Sequence, residues 1–438
     1  MDICSRISIL LLALSTIIVQ LANGLLHKIP IQIHKLPPEI AEQHFAQKYA
    51  NNPEMLKLLT RSASLEVADD SPDKNNHTLP LSQNSGNWGT VQVANISVGT
   101  PPQWFTMEVD WFYDVNMEVI DSNATNIQNA NNQALNVFNS SISSTYSQVA
   151  GGYYSMESGS NGHRGQDIVN ANGQDLKITF GVLDYANYYY FRGYMIDAIL
   201  GLSPADQRKG YQTANLTTVV KQIANQLDSP VVTIWSESSR GGDGTGQITL
   251  GALDTDHCER NWIFMPKTEI SSYYSGYTVH LATMEGTWPN GTQETFKANV
   301  DVSIVPNVKG IIVDSDWVPL FRNISEAVWD EDVQEYVVDC DTTKLGNVTF
   351  RVGGHGYGKN SKTYNLTITG ADYTSYYEYY DVCYLEIGTG VRSSNPYSMP
   401  VILGHNFARD HCLAYNVKDD KIGIADSKTR NTRFVDYD

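Results

Sequence analysis

From Trp88 onward, apolar and polar residues alternate with a period of two in short runs closed by Gly, Asn, Asp or Pro. Side chains of an extended strand point alternately to opposite faces, so this pattern predicts half-buried β-strands. The stretch from Val93 to Asp121 organises the rest. Ile96 and Val98 alternate with polar neighbours, and Gly99-Thr100-Pro101-Pro102 breaks the strand. Phe105, Met107 and Val109 then carry a second strand that ends on Asp110. Far downstream, Lys309-Gly310-Ile311-Ile312-Val313-Asp314-Ser315 has the same design, an apolar strand ending on an aspartate. Two such strands predict two β-rich lobes that each donate one acid. Helical periodicity is confined to Pro38–Leu59, Leu216–Leu227 and a segment from Trp317 to Val328. Ala150 to Gly162, rich in Gly and Ser, predicts a hairpin, and the tyrosine clusters at 188–190, 273–274 and 373–380 fill strand faces and edges.

The 438 residues allow two or more domains, and a hydrophobic fraction of 41% is ample for packed cores. A formal net charge of −18 argues against nucleic acid or an anionic membrane surface as partner. Arg6, the apolar run Ile7 to Val19 and the small residues Ala22-Asn23-Gly24 read as a cleaved secretory signal over residues 1–24. No later run is long enough to span a bilayer. Cys4 lies in the signal, which leaves Cys258, Cys340, Cys383 and Cys412, an even number with three possible pairings in an oxidising compartment. None has metal-ligand spacing, and no metal or other cofactor is expected. Sequons at Asn76, Asn95, Asn123, Asn139, Asn215, Asn290, Asn323, Asn347 and Asn365 fit a glycoprotein that is secreted or held in a lysosomal or endomembrane lumen. Residues 25–80 read as a pro-segment and linker. Leu26 to Ile31 forms a strand-like entry, basic residues run from Lys28 through Lys35, Lys48 and Lys57 to Arg61, and a polar stretch follows from Ser64 to Asn87.

The run Ile96 to Asp110 resembles the first half of a pepsin-like (family A1) aspartic protease, and Gly310-Ile311-Ile312-Val313-Asp314-Ser315 resembles the start of its second half. Further matching pieces follow in order: Phe138 to Tyr146, Ile196 to Leu202, Gly246 to Asp254 and Val401-Ile402-Leu403-Gly404. The resemblance implies an all-β, bilobal fold with a central cleft and few short helices, an N-terminal lobe over 81–265 and a C-terminal lobe over 266–438. It implies Asp110 and Asp314 as the catalytic pair, sharing one proton and activating a water. It also implies a Cys340–Cys383 bridge, leaving Cys258–Cys412, and a monomer that holds a peptide or protein between its lobes.

In the family each acid is followed by Thr or Ser, then Gly, then Ser or Thr, which lock the two loops together. Here Trp111, Phe112 and Tyr113 follow Asp110, and Ser315, Asp316 and Trp317 follow Asp314. Trp111 has no hydroxyl and is too bulky for a buried loop crossing of the family's kind. Asp316 either crowds the acids or turns out to solvent. The flap hairpin, Tyr153-Tyr154-Ser155 through Ser158 and Gly159, is about three residues short of the family's, with Ser158 at the position of the family's tyrosine. Such losses in one preorganised network predict little or no peptidase activity, with peptide or protein binding retained. The alternative is an active acid endopeptidase working through Asp110 and Asp314. A match of Ile311 to Val318 to the opening of haloacid-dehalogenase-like phosphatases requires a parallel α/β sheet, which the β-rich chain does not predict.

Overall fold

The computed structural model describes residues 27–35, 90–111, 116–124, 135–155, 159–186, 196–204, 216–238, 244–268, 276–306, 310–353, 362–377, 380–390 and 401–429. Among them the alternating runs form sheets of 13, 7 and 4 strands, and only four short helices occur. This is the bilobal all-β architecture that the period-two pattern predicts. The helix expected over Pro38–Leu59 and the polar stretch to Asn87 lie outside the described residues.

Nine strands of the large sheet lie in the spatial order Gly244–Leu250, His27–Lys35, Thr90–Val98, Gln103–Asp110, Ala198–Gly201, Met117–Ile120, Gln174–Tyr185, Asn161–Ala171 and Ser147–Tyr154. The sheet is extended beyond Gly244–Leu250 by Val231–Ser238, His411–Asn416, Lys421–Asp426 and Ile263–Pro266. Strands near the end of the chain thus complete a sheet built mainly from its first half. The strand-like entry expected at Leu26 to Ile31 is a central strand, with Ile29 paired to Ile248 and Gln32 to Val93. The seven-stranded sheet runs Thr363–Ile368, Asn347–Gly353, Tyr277–Thr287, Gln293–Ile304, Val401–Leu403, Ile311–Asp314 and Ile387–Gly390.

Alternation decides which face is buried. In Gln103–Asp110, Phe105, Met107 and Val109 enter a core cluster that also includes Tyr277, Val313 and Leu403 from the other sheet. Trp104, Thr106, Glu108 and Asp110 take the opposite face. The helices are shorter than the sequence pattern predicts, Val219–Ala224 and Val318–Ile324. Glu326 adopts a left-handed φ of 53°, which ends the second helix and lets Val328–Asp330 become a strand. Both implied disulfides, Cys340–Cys383 and Cys258–Cys412, are formed.

Beside the second bridge, the buried carboxylate of Asp254 accepts the backbone N–H of Asp256 at 2.8 Å and that of His257 at 3.1 Å. Its Oδ2 lies 2.8 Å from Nδ1 of His257, whose ring stacks on Trp235 at 3.9 Å. Burial pushes the Asp254 carboxyl up, but the bonds from His257 and the backbone outweigh it and hold it below its ordinary value of 3.8. A depressed folded value contributes stability that is present above the unfolded range and lost as pH falls through the folded value. Asp254→Asn is therefore expected to cost about 1–3 kcal/mol at pH 7. The difference from the wild type narrows at a second, acid pH below the carboxyl's ordinary value of 3.8. Denaturant unfolding of both proteins at the two pH values checks it.

Candidate active site

Asp110 ends its strand 1% exposed. Its strand runs parallel to Ala198–Gly201, with Asp110 paired to Gly201, and its carbonyl accepts the Leu202 N–H at 2.7 Å. Two further acids share this face. Glu108 and Glu118 are both buried and both in register with Ile199, so they flank it across the sheet. The Tyr153 hydroxyl donates to Glu118 Oε1 at 2.8 Å. Sequence reasoning passes over these glutamates because a charged residue in an alternating strand reads as solvent-facing. Their only signal is that Glu108 has the same parity as Asp110.

Trp111 departs from expectation. Its ring is fully buried, it donates its indole N–H to Gln92 Oε1, and its ring meets Tyr277 edge-on at 6.5 Å and 70°. The indole fits because the fold provides a pocket for it between the two sheets. Gln92 Nε2 and the Tyr277 hydroxyl, both buried, have no hydrogen-bond partner among the described residues. Burial pushes the Tyr277 hydroxyl far up. Phe112 and Tyr113 lie outside the described residues.

The second half repeats the strand arrangement of the first, and register identifies the equivalent positions. Gly201 N–H donates to Asn116 O at 2.8 Å, and Gly404 N–H donates to Gly310 O at 2.9 Å. Asn116 precedes Met117–Ile120, which runs antiparallel to Ala198–Gly201; Gly310 precedes Ile311–Asp314, which runs antiparallel to Val401–Leu403. Met117 therefore corresponds to Ile311, and Asp314 corresponds to Ile120. The strand equivalent to Gln103–Asp110 is Gln293–Ile304, which runs parallel to Val401–Leu403 with Ile304 paired to Leu403. One further step puts Val305, 1% exposed, beside Gly404 as Asp110 is beside Gly201. Asp314 lies past the opposite end of Val401–Leu403, four positions or about 13 Å along the strand from the Gly404 level.

The surroundings of Asp314 are those of a turn. Its Oδ1 accepts the Asp316 N–H at 3.0 Å, and its carbonyl accepts the Trp317 N–H at 2.8 Å, just ahead of the helix Val318–Ile324. Ser315 Oγ is 3.5 Å from the same Oδ1. Of the two outcomes expected for Asp316, the structure takes the outward one: Ser315 and Asp316 are exposed, and Trp317 packs half-buried on the core. Gly310 has a φ of 69°, and a Cβ there would stand 2.3 Å from the Glu386 carbonyl oxygen, so this crossing requires glycine.

The flap strands Ser147–Tyr154 and Asn161–Ala171 pair as a hairpin, with Tyr153 opposite Gly162 and Tyr154 opposite Asn161. Tyr153 points inward against Gly181, Tyr154 is half-buried, Gly159 has a left-handed φ of 66°, and Ser158 lies outside the described residues. Among the sequons, Asn95, Asn123, Asn290, Asn323, Asn347 and Asn365 are exposed, while Asn76 and Asn215 are outside the described residues. Asn139 is half-buried and caps the turn Ser140–Ile142. Asp121, His163 and Asp184 bring ligand-type atoms within 4.8 Å of one another. His163 already uses both ring nitrogens, Nδ1 at 3.0 Å from Asp184 and Nε2 at 3.1 Å from the Tyr146 hydroxyl. No helix among the described residues is long and apolar enough to cross a membrane.

The family model for eukaryotic aspartyl proteases matches residues 92–427. Aspartic protease 17 of Caenorhabditis elegans is 28% identical over 77% of this chain and 83% of its own length. Cathepsin E of Mus musculus is 24% identical over 79% and 82%, and vacuolar protease A of Aspergillus fumigatus 23% identical over 76% and 78%.

Trp111→Phe removes the donor to Gln92 and leaves a buried carboxamide oxygen unpaired, at an expected cost of about 1–3 kcal/mol. Adding Gln92→Leu removes the stranded amide, so the double variant is expected to be more stable than Trp111→Phe alone. Denaturant midpoints of the two single variants and the double variant check this.

Proposed function

The chain belongs to the eukaryotic aspartyl protease family, and from that premise we propose that it binds peptides between its lobes and hydrolyses them little or not at all. Kinship supports aspartic endopeptidase function and peptide binding in the cleft. The reading of weak or absent turnover rests on one observation, the register that sets Val305 at the position equivalent to Asp110. A water is activated in this chemistry by two carboxyls close enough to share a proton. Valine neither accepts a proton from the water nor donates one to the oxygen that gains charge on the substrate. Asp110 is left as the candidate acid of its own half, while Asp314 is engaged in the turn that leads into its helix. Glu108 and Glu118 belong to the same half as Asp110 and do not supply the missing partner.

A lumenal or extracellular destination is part of the same proposal. The apolar leader Ile7 to Val19, the two disulfides and the sequons support it. The second reading, an acid endopeptidase using Asp110 and Asp314, is favoured by the burial of both carboxyls, 1% and 8% exposed. Full-length secreted protein, preincubated at acid pH and given an acid-denatured protein substrate, separates the two. The expected result is no cleavage above that of Asp110→Asn. Cleavage that a statine-type inhibitor blocks, and that Asp110→Asn and Asp314→Asn each abolish, would establish the second reading instead.

A further inference from the structure

The face of the strand Gln103–Asp110 that carries Asp110 continues outward to Trp104, which is 59% exposed. A ring left this open on a folded surface has a large apolar area in water. Thr90–Val98 runs antiparallel beside it, with Asn95 opposite Thr106 and Ser97 opposite Trp104. Asn95 and Trp104 are therefore diagonal neighbours on one face, about 7–8 Å apart and within reach of each other's substituents. They line, with Phe105, Thr106 and Asn136, a shallow open depression of about 320 Å³. Asn95 Oδ1 accepts the Thr106 hydroxyl at 3.2 Å, which fixes the carboxamide. Its Nδ2 makes no hydrogen bond among the described residues. Asn95-Ile96-Ser97 is a sequon, and Nδ2 is the atom such a sequon modifies.

We propose that Asn95 carries an N-linked glycan whose first N-acetylglucosamine packs on the indole of Trp104. The inference rests on the chain entering the secretory lumen. There, a lipid-linked diphosphate oligosaccharide and its transferase supply the reaction: a bond forms between sugar C1 and Nδ2, the C1–O bond to the diphosphate breaks, and one amide proton and the lipid diphosphate leave. The axial C–H face of the sugar then covers the apolar face of the ring, while its hydroxyls stay in water. This explains why a tryptophan stands at a strand position whose alternation calls for a polar side chain. It also distinguishes Asn95, which is exposed, from Asn139, which is half-buried.

The test uses full-length protein secreted from a eukaryotic host, with peptide mapping before and after amidase release of N-glycans. Asn95 is expected to be occupied. Trp104→Ala is expected to lower Tm by roughly 2 °C in the glycosylated protein. In the Asn95→Gln background the same change is expected to have no effect, so the two substitutions are non-additive. Endoglycosidase trimming to a single N-acetylglucosamine keeps the Trp104-dependent difference, and complete release abolishes it. An unmodified Asn95 overturns the proposal, and so does an additive pair. Modification of other sequons with Asn95 bare leaves the secretory reading standing, whereas no modification at any of the nine sequons removes both.

Discussion

Two carboxyl groups share a proton only when the fold delivers both to one place, and in this chain strand register controls delivery. Each half crosses its acid-position strand beside a short apolar strand ending in glycine, Ala198–Gly201 in one and Val401–Leu403 followed by Gly404 in the other. A side chain reaches the shared place from the residue level with that glycine. In the first half this residue is Asp110, and in the second it is Val305. A shift of a few residues along a strand is not a small error, because each step moves a side chain about 3.3 Å and turns it to the other face. Asp314, on the neighbouring antiparallel strand, is carried away from the shared level with every residue.

The same crossing shows how the position directly after Asp110 is packed without a hydroxyl. Trp111 fills the space between the sheets, its N–H is accepted by Gln92 on one side, and its ring rests edge-on against Tyr277 on the other. Apolar burial and one directed hydrogen bond replace a hydroxyl network. Such a substitution holds the chain in place but supplies no proton donor or acceptor to a bound water. The polar cost is visible nearby, in the Tyr277 hydroxyl and Gln92 Nε2, which are buried without a hydrogen-bond partner among the described residues.

Much of the fold is legible in the alternation of the sequence. The strand ending on Asp110, the flap hairpin and the two half-sheets follow from period-two patterning with Gly and Pro breaks, which is local information. Which residue of the second half stands level with Asp110 is not local information. Val300, Val302 and Ile304 form an alternating strand that ends without a carboxylate, so a search for an apolar strand closing on aspartate moves on to Ile311–Asp314. Both segments are strands, and only the pairing with Val401–Leu403, a hundred residues later, tells which is equivalent to Gln103–Asp110. Trp111 was misleading for a related reason. Its size predicts a clash only if its surroundings are those of a threonine, and the partners that accommodate it, Gln92 and Tyr277, lie on other strands. The buried Glu108 and Glu118 are invisible to patterning because hydropathy assigns them to solvent.

The identity of the second acid position is tested most directly by the affinity of a statine-type inhibitor, whose central hydroxyl hydrogen-bonds to both carboxyls of a working pair. Calorimetric titration of the wild type, Asp314→Asn and Val305→Asp at acid pH reads each position separately. If Val305 holds the place, Asp314→Asn leaves Kd within about twofold. Val305→Asp, which restores a charged hydrogen-bond partner, then tightens binding by about tenfold or more. Weakening of tenfold or more on Asp314→Asn, with no gain from Val305→Asp, would contradict the account.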